Sequence, residues 1–234
     1  MTVLIGLVVL ALVALFVVST INRKQEREQI RRMQQRKLKL KHDAIVDIVN
    51  CLEQTLPNHQ IAKHINDEVI ELLQQIATLE TSSKTHLENS IRHAEARSED
   101  FASPKAKNNS SYQKDSDAQI THTQLQLGEA ATLLRHVCAK GKINEQELEA
   151  FTIELSWAFL MVSVTSFIAQ GYKFSHLGDR FSAYGYYQKA QQLLMESLHQ
   201  DPRRLRMIKE LGELMEGSRK AMSRELMPEK SVTE

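Results

Sequence analysis

The sequence predicts an all-α protein: an N-terminal single-pass transmembrane helix followed by cytoplasmic helical hairpins. Three observations carry this expectation. The 234 residues include only 8 Gly and 4 Pro, well below the usual share of both helix breakers. Leu, Gln, Glu, Lys, Arg and Ala, all good helix formers, dominate the rest. A charge-free run at the N-terminus is followed at once by a dense basic belt.

Composition also excludes several classes. Two cysteines 87 positions apart make neither a disulfide framework nor a zinc module. The formal net charge of +1 argues against a wholly nucleic-acid-binding chain. That balance hides an asymmetry, because Arg23 to Lys41 carries nine Lys/Arg and two Glu.

Residues 1–22 read as a transmembrane anchor. Thr2 to Asn22 has no charged side chain, and Val3 to Val18 is almost wholly Val, Leu, Ile, Ala and Phe. About 20 apolar residues span a ~30 Å hydrocarbon core. No basic region precedes the run, and Val17-Val18-Ser19-Thr20 makes a poor cleavage site, so an uncleaved signal-anchor is expected. Thr2 excludes myristoylation.

Residues 23–41 form a basic juxtamembrane stalk. Arg23, Lys24, Arg27, Arg31, Arg32, Arg36 and Lys37, with Lys39 and Lys41, all follow the span, and no Lys or Arg precedes it. The positive-inside rule then places the N-terminus outside and the bulk of the chain in the cytoplasm. Both cysteines are expected to be reduced there, and the sequons at Asn108 and Asn109 to go unused. The same belt suits anionic lipid headgroups, at ~1 kcal/mol per basic residue near the surface. It contains no aromatic residue to stack on bases, so no nucleic-acid partner is expected.

Residues 42–99 read as a helical hairpin with a short coiled-coil seam. Leu38, Ile45, Ile48, Val49, Leu52 and Leu56 share one helical face, and Pro57 stops that helix. Ile65, Val69, Leu72, Ile76 and Leu79 follow a 4-3-4-3 spacing. Thr81-Ser82-Ser83 offers caps for a third helix reaching about Arg97. Residues 100–117 are polar, contain Pro104 and lack apolar periodicity, which predicts a flexible linker.

Residues 118–234 read as a C-terminal helical domain. Asp117 is expected to cap a helix bearing Ile120, Leu127, Leu134, Val137 and Cys138. Asn144 with Glu147 three positions on is a variant capping box for the next helix. That helix contains Leu155 to Ala169, an apolar run whose length and serines predict a buried core helix rather than a second span.

Phe167, Gly171, Phe174, Gly178, Ala183, Tyr187 and Ala190 follow the spacing of aromatic and small positions in one tetratricopeptide repeat, and about residues 167–202 resemble such a repeat. Gln170 departs from the repeat's Leu, and Pro202 falls seven residues late, which predicts a second helix two turns longer. The resemblance implies a helix pair that binds a protein partner. An ordinary antiparallel pair with small residues at its crossing has the same local geometry.

Catalytic signatures are missing. Gly141, Ile143 and Glu147 match half of a calcium-binding EF-hand loop, but Lys140 falls where that loop needs an oxygen ligand. His59/His64 and His86/His93 lack zinc spacing. Glu154, at a helix boundary, is expected to face solvent. The expectation is therefore a non-enzymatic scaffold without metal or cofactor, holding an unknown protein partner at the membrane, with homo-oligomerisation through its helices open. A regulator or assembly factor engaging the membrane or a membrane protein through 155–169 is the alternative. The layout is similar to that of a mitochondrial import receptor with a single repeat, and a bacterial inner membrane fits the sequence equally well.

Overall fold

The computed structural model describes residues 2–80, 84–103 and 110–227, with the side chains of 2–18, 20, 21 and 84 outside that description. The described residues are all-helical. The elements are α1 (Thr2–Thr55), α2 (Gln60–Leu79), α3 (Lys84–Ala102), α4 (Asp117–Ala139), α5 (Glu145–His176), α6 (Arg180–Glu196) and α7 (Arg203–Met215).

One helix, α1, carries the apolar segment, the basic stalk and the first core face. At 1.5 Å per residue it is about 80 Å long. It stops at Thr55, where Pro57 bars the preceding residue from the helical region. α2 folds back along it. Ile45, Ile48, Val49, Leu52 and Leu56 of the α1 arm bury against Ile61, Ile65, Val69, Leu72 and Ile76.

Polar clamps fix this register. The Arg31 guanidinium and the Gln35 amide both donate to the Leu79 carbonyl at 2.7 Å. α3 is tied on by Asn66, whose Nδ2 donates to Ala94 O at 2.7 Å. Arg97 reaches Asn50 at 2.7 Å and Glu53 at 2.5 Å.

The caps Thr81, Ser82 and Ser83 and the sequons Asn108 and Asn109 lie outside the described residues. The described parts of the expected linker 100–117, residues 100–103 and 110–117, are more structured than its composition suggests. α3 continues to Ala102 and buries Phe101, which stacks on His59 with ring centroids 5.7 Å apart. Ser111 N–H donates to Gln54 O at 2.9 Å, and Lys114 N–H to Ser166 Oγ at 2.8 Å. Backbone polarity there is satisfied by the helical body, which composition alone does not reveal.

Ser116, not Asp117, caps α4, its hydroxyl accepting from Gln119 N–H. The Asn144/Glu147 capping box is complete in both directions, at 2.8 and 2.9 Å. α5 is the central beam. Leu155, Ala158 and Val162 join the cluster built by α1 to α4. Trp157, Met161, Val164 and Ile168 join a second cluster with α6, α7 and the residues after them. Among the residues whose side chains are described, α5 is the one helix long and apolar enough to cross a membrane, and half of its most apolar window is buried inside the body.

Candidate interaction surfaces

The basic belt is a helical surface rather than a loop. Arg23, Lys24, Arg27, Arg32, Arg36 and Lys37 are exposed. Arg31 differs, since it is half-buried on the end of α2. Ile30, Met33 and Leu40 stand exposed among these charges, so the stalk presents apolar and cationic groups together.

The hairpin positions converge at the α5–α6 crossing. A Cβ built on Gly171 would lie 2.3 Å from Tyr187 Cε1, so only glycine admits the Tyr187 ring at this distance. Burial pushes the Tyr187 hydroxyl up to about 12, with Tyr172 beside it adding to the shift. Tyr172 meets the Tyr187 ring edge-on at 5.9 Å. Phe174 does not fill the same gap: it stacks on Tyr186 at 5.4 Å, with Phe167 6.3 Å from the same ring. Ala183 and Ala190 are buried between the helices. Gly178 makes the turn at φ +82, and Asp179 caps α6 by accepting from Ser182 N–H.

Pro202 does not end a lengthened helix. α6 stops at Glu196, and Pro202 is the N-cap of α7. The late proline is accommodated by a non-helical connection, where His199 Nδ1 accepts from Asp201 N–H at 3.1 Å.

That connection lies against a polar patch whose members, Glu154 apart, the sequence does not single out. Arg203 sits over the Trp157 ring at 4.8 Å and bonds Asp201 at 2.7 Å. Tyr112, pushed up to about 12 by burial and by Glu154, packs against both core clusters. Glu154 is half-buried rather than solvent-facing. Burial raises its pKa, and Asn58 Nδ2 donates to it at 3.3 Å.

Lys140 and Lys142, beside the half-matched calcium loop, are bound to acids of α2. Lys140 Nζ lies 2.5 Å from Glu68 and 3.2 Å from Glu71, and Lys142 Nζ lies 2.6 and 2.5 Å from the same pair. Burial pushes the Glu68 carboxyl up, but the lysine hydrogen bonds outweigh it and hold it below its ordinary value. Among the described residues no group of three His, Cys, Asp or Glu could hold a metal ion. His64 packs on Phe151 at 5.6 Å, and burial lowers its pKa.

A polar cleft of about 230 Å³ opens where the N-terminus of α4 meets α5 and α6, lined by Asp115, Asp117, Phe167, Gln170 and Tyr186 among others. Its inner polar groups already bond one another, as Lys114 N–H does with Ser166 and Gln170 with Asp115 O. No protein family model matches the chain, and neither a curated protein nor a solved structure shows significant similarity to it.

Proposed function

We propose that the chain is a membrane-anchored helical scaffold that holds a protein partner at the cytoplasmic membrane face. One observation carries the reading: the charge-free segment and the basic belt belong to the same unbroken helix, Thr2–Thr55, as the first face of the helical core. A span joined to the body by one continuous helix positions that body, whereas a flexible tether would only localise it. The exposed cations Arg23, Lys24, Arg27, Arg32, Arg36 and Lys37 engage anionic headgroups and set the orientation.

The α5–α6 crossing is read as a single degenerate tetratricopeptide-like unit, and its role is non-enzymatic partner binding. The alternative in which 155–169 engages the membrane is disfavoured by the burial of Leu155, Ala158, Val162, Val164 and Ile168 in the two clusters.

The test is extraction and protease protection of the full chain in sealed membranes. The protein should resist carbonate extraction, and its bulk should be cleaved only from the cytoplasmic side. Release by carbonate, or cleavage from the outer side, overturns the proposal. Replacing Arg23, Lys24, Arg27, Arg31 and Arg32 with Gln should give mixed orientation, because only weaker, more distant charges would then set it.

A further inference from the structure

α7 ends at Met215, but the chain stays on the body. Gly217, at φ +77, turns it back, and Arg219 N–H donates to Glu213 O at 3.1 Å. Beyond the turn the residues are non-helical, yet Met222 and Leu226 are only 7% and 6% exposed, seated among the buried side chains of α5, α6 and α7.

Between these two apolar anchors the backbone is hooked at successive residues. Met222 N–H donates to the Tyr172 hydroxyl at 2.6 Å. Ser223 donates twice to Glu210, from its N–H at 2.8 Å and from its hydroxyl at 2.7 Å. Arg219 Nη1 lies 3.3 Å from the same carboxylate, and its Nε bonds Glu213 at 2.9 Å. Main-chain hydrogen bonds and pockets for apolar side chains are the two kinds of contact that hold an extended docked peptide.

Glu210 is the buried polar group of this surface. Met207, Glu210, Leu211 and Leu214 are the buried residues of α7, spaced as one apolar stripe. Packing alone favours another apolar residue at position 210. A carboxylate there breaks the local rule, as functional positions do. Among the described residues, its hydrogen-bond donors are the Ser223 N–H and hydroxyl, and Arg219 forms an ion pair with it.

We propose that the face of α5 and α7 beneath this segment is a peptide-binding groove, filled in cis by residues 219–227. The partner segment it takes has the same chemistry: a basic residue, then an apolar residue followed directly by Ser or Thr, then a second apolar residue, spaced as Arg219, Met222, Ser223 and Leu226. This names a partner site for the scaffold and rests on that reading only for its use in the cell. The tethered tail competes at an effective concentration on the order of millimolar, so a free peptide meets a groove that is open only part of the time.

The experiment uses the full chain in detergent micelles and a labelled peptide of sequence RKAMSRELM, residues 219–227. The peptide should bind the Met222→Gly/Leu226→Gly variant at least about ten-fold more tightly than the parent, because emptying both apolar seats raises the open fraction. Replacing its Ser by Ala should weaken binding about ten-fold, since a bond to a buried carboxylate is lost.

Hydrogen exchange on the parent is the second measurement. The Met222 and Ser223 amides should exchange about a hundred-fold faster than the amides of Met207 to Leu211, as a tail that opens locally requires. Equal binding to variant and parent overturns the proposal. So does a variant that loses the helicity of α5 to α7, or exchange of the tail at the rate of α7. A doubled mass from tails exchanged between copies overturns the cis assignment. None of these outcomes bears on carbonate extraction or protease protection, so the groove and the anchor fail separately.

Discussion

Tyr187 lies so close over Gly171 that a Cβ on the glycine would sit 2.3 Å from the ring. This contact sets the separation of α5 and α6. The ring has little room to retreat, being 5% exposed and met edge-on by Tyr172.

Gly171→Ala should therefore destabilise, although alanine gains about 1 kcal/mol over glycine in an open helix. Overpacking costs about 1–3 kcal/mol. The net should be a loss on the order of 1 kcal/mol, a fall in Tm of about 2–4 °C for a chain of this size. Gly128→Ala and Gly185→Ala are the controls: both are helical, nothing lies within 4 Å of the added Cβ, and both should melt higher. Thermal unfolding of the full chain by circular dichroism reads all three. A second change, Tyr187→Leu, should recover part of the Gly171→Ala loss, because residues in contact do not act additively. A Gly171→Ala variant that melts above the parent would refute the crossing.

How much of this was legible follows from the range of each interaction. Ile65, Val69, Leu72 and Ile76 show their seam in spacing alone, and all four are buried. Asn144 and Glu147 announce a cap because both partners lie within four residues. Pro57 acts on its immediate neighbour. Gly171 and Tyr187 were singled out by spacing, but Tyr186 was not, since a second aromatic beside the first breaks no pattern. Its place at the crossing is set by Phe174, which stacks on its ring. The tail 216–227 has no periodicity, and Ser223 finds Glu210 only after α7 is placed. Lys140 and Glu68 are 72 positions apart, and no local rule pairs them.

That pair supports a prediction about pH. Hydrogen bonds from Lys142 and Lys140 also hold Glu71 below its ordinary value of 4.5, against a smaller opposing push from burial. Groups with lowered folded pKa values stabilise the fold above the unfolded value and lose that contribution as pH falls through the folded ones. The lysines are the mirror case. Hydrogen bonding to Glu68 raises Lys140 above 10.5, and the carboxylates overcome burial to raise Lys142. Their contribution is complete below 10.5 and is lost as pH rises through the raised values. Tm should thus fall on acidification from 4.5 downward, and more shallowly in Glu68→Gln/Glu71→Gln than in the parent. Lys140→Met should cost about 1 kcal/mol near neutrality, because Lys142 still bonds both carboxylates. Parallel acid profiles for parent and double variant would show that the cluster adds nothing.

Arg31 and Arg32 are neighbours of equal charge and should separate cleanly by experiment. The Leu79 carbonyl belongs to the last turn of α2, where no intrahelical donor remains. Arg31 Nε and Gln35 Nε2 both reach it at 2.7 Å, and Lys39 lies 3.7 Å from Glu80 just beyond. A cation at a helix C-terminus adds about 0.3–1 kcal/mol through the dipole, and the hydrogen bond adds about 1 kcal/mol. Arg31→Gln should then speed exchange of the Glu80 amide, which bonds Ile76 O at 3.0 Å, by about ten-fold. Arg32 is exposed, and Arg32→Gln should leave that amide unchanged. In an orientation assay the two substitutions should instead match, because topology responds to the number of positive charges near the span rather than to their contacts. Equal exchange in the two variants would mean that the clamp on Leu79 contributes no stability. Unequal orientation would mean that the stalk is already folded against α2 when the span inserts.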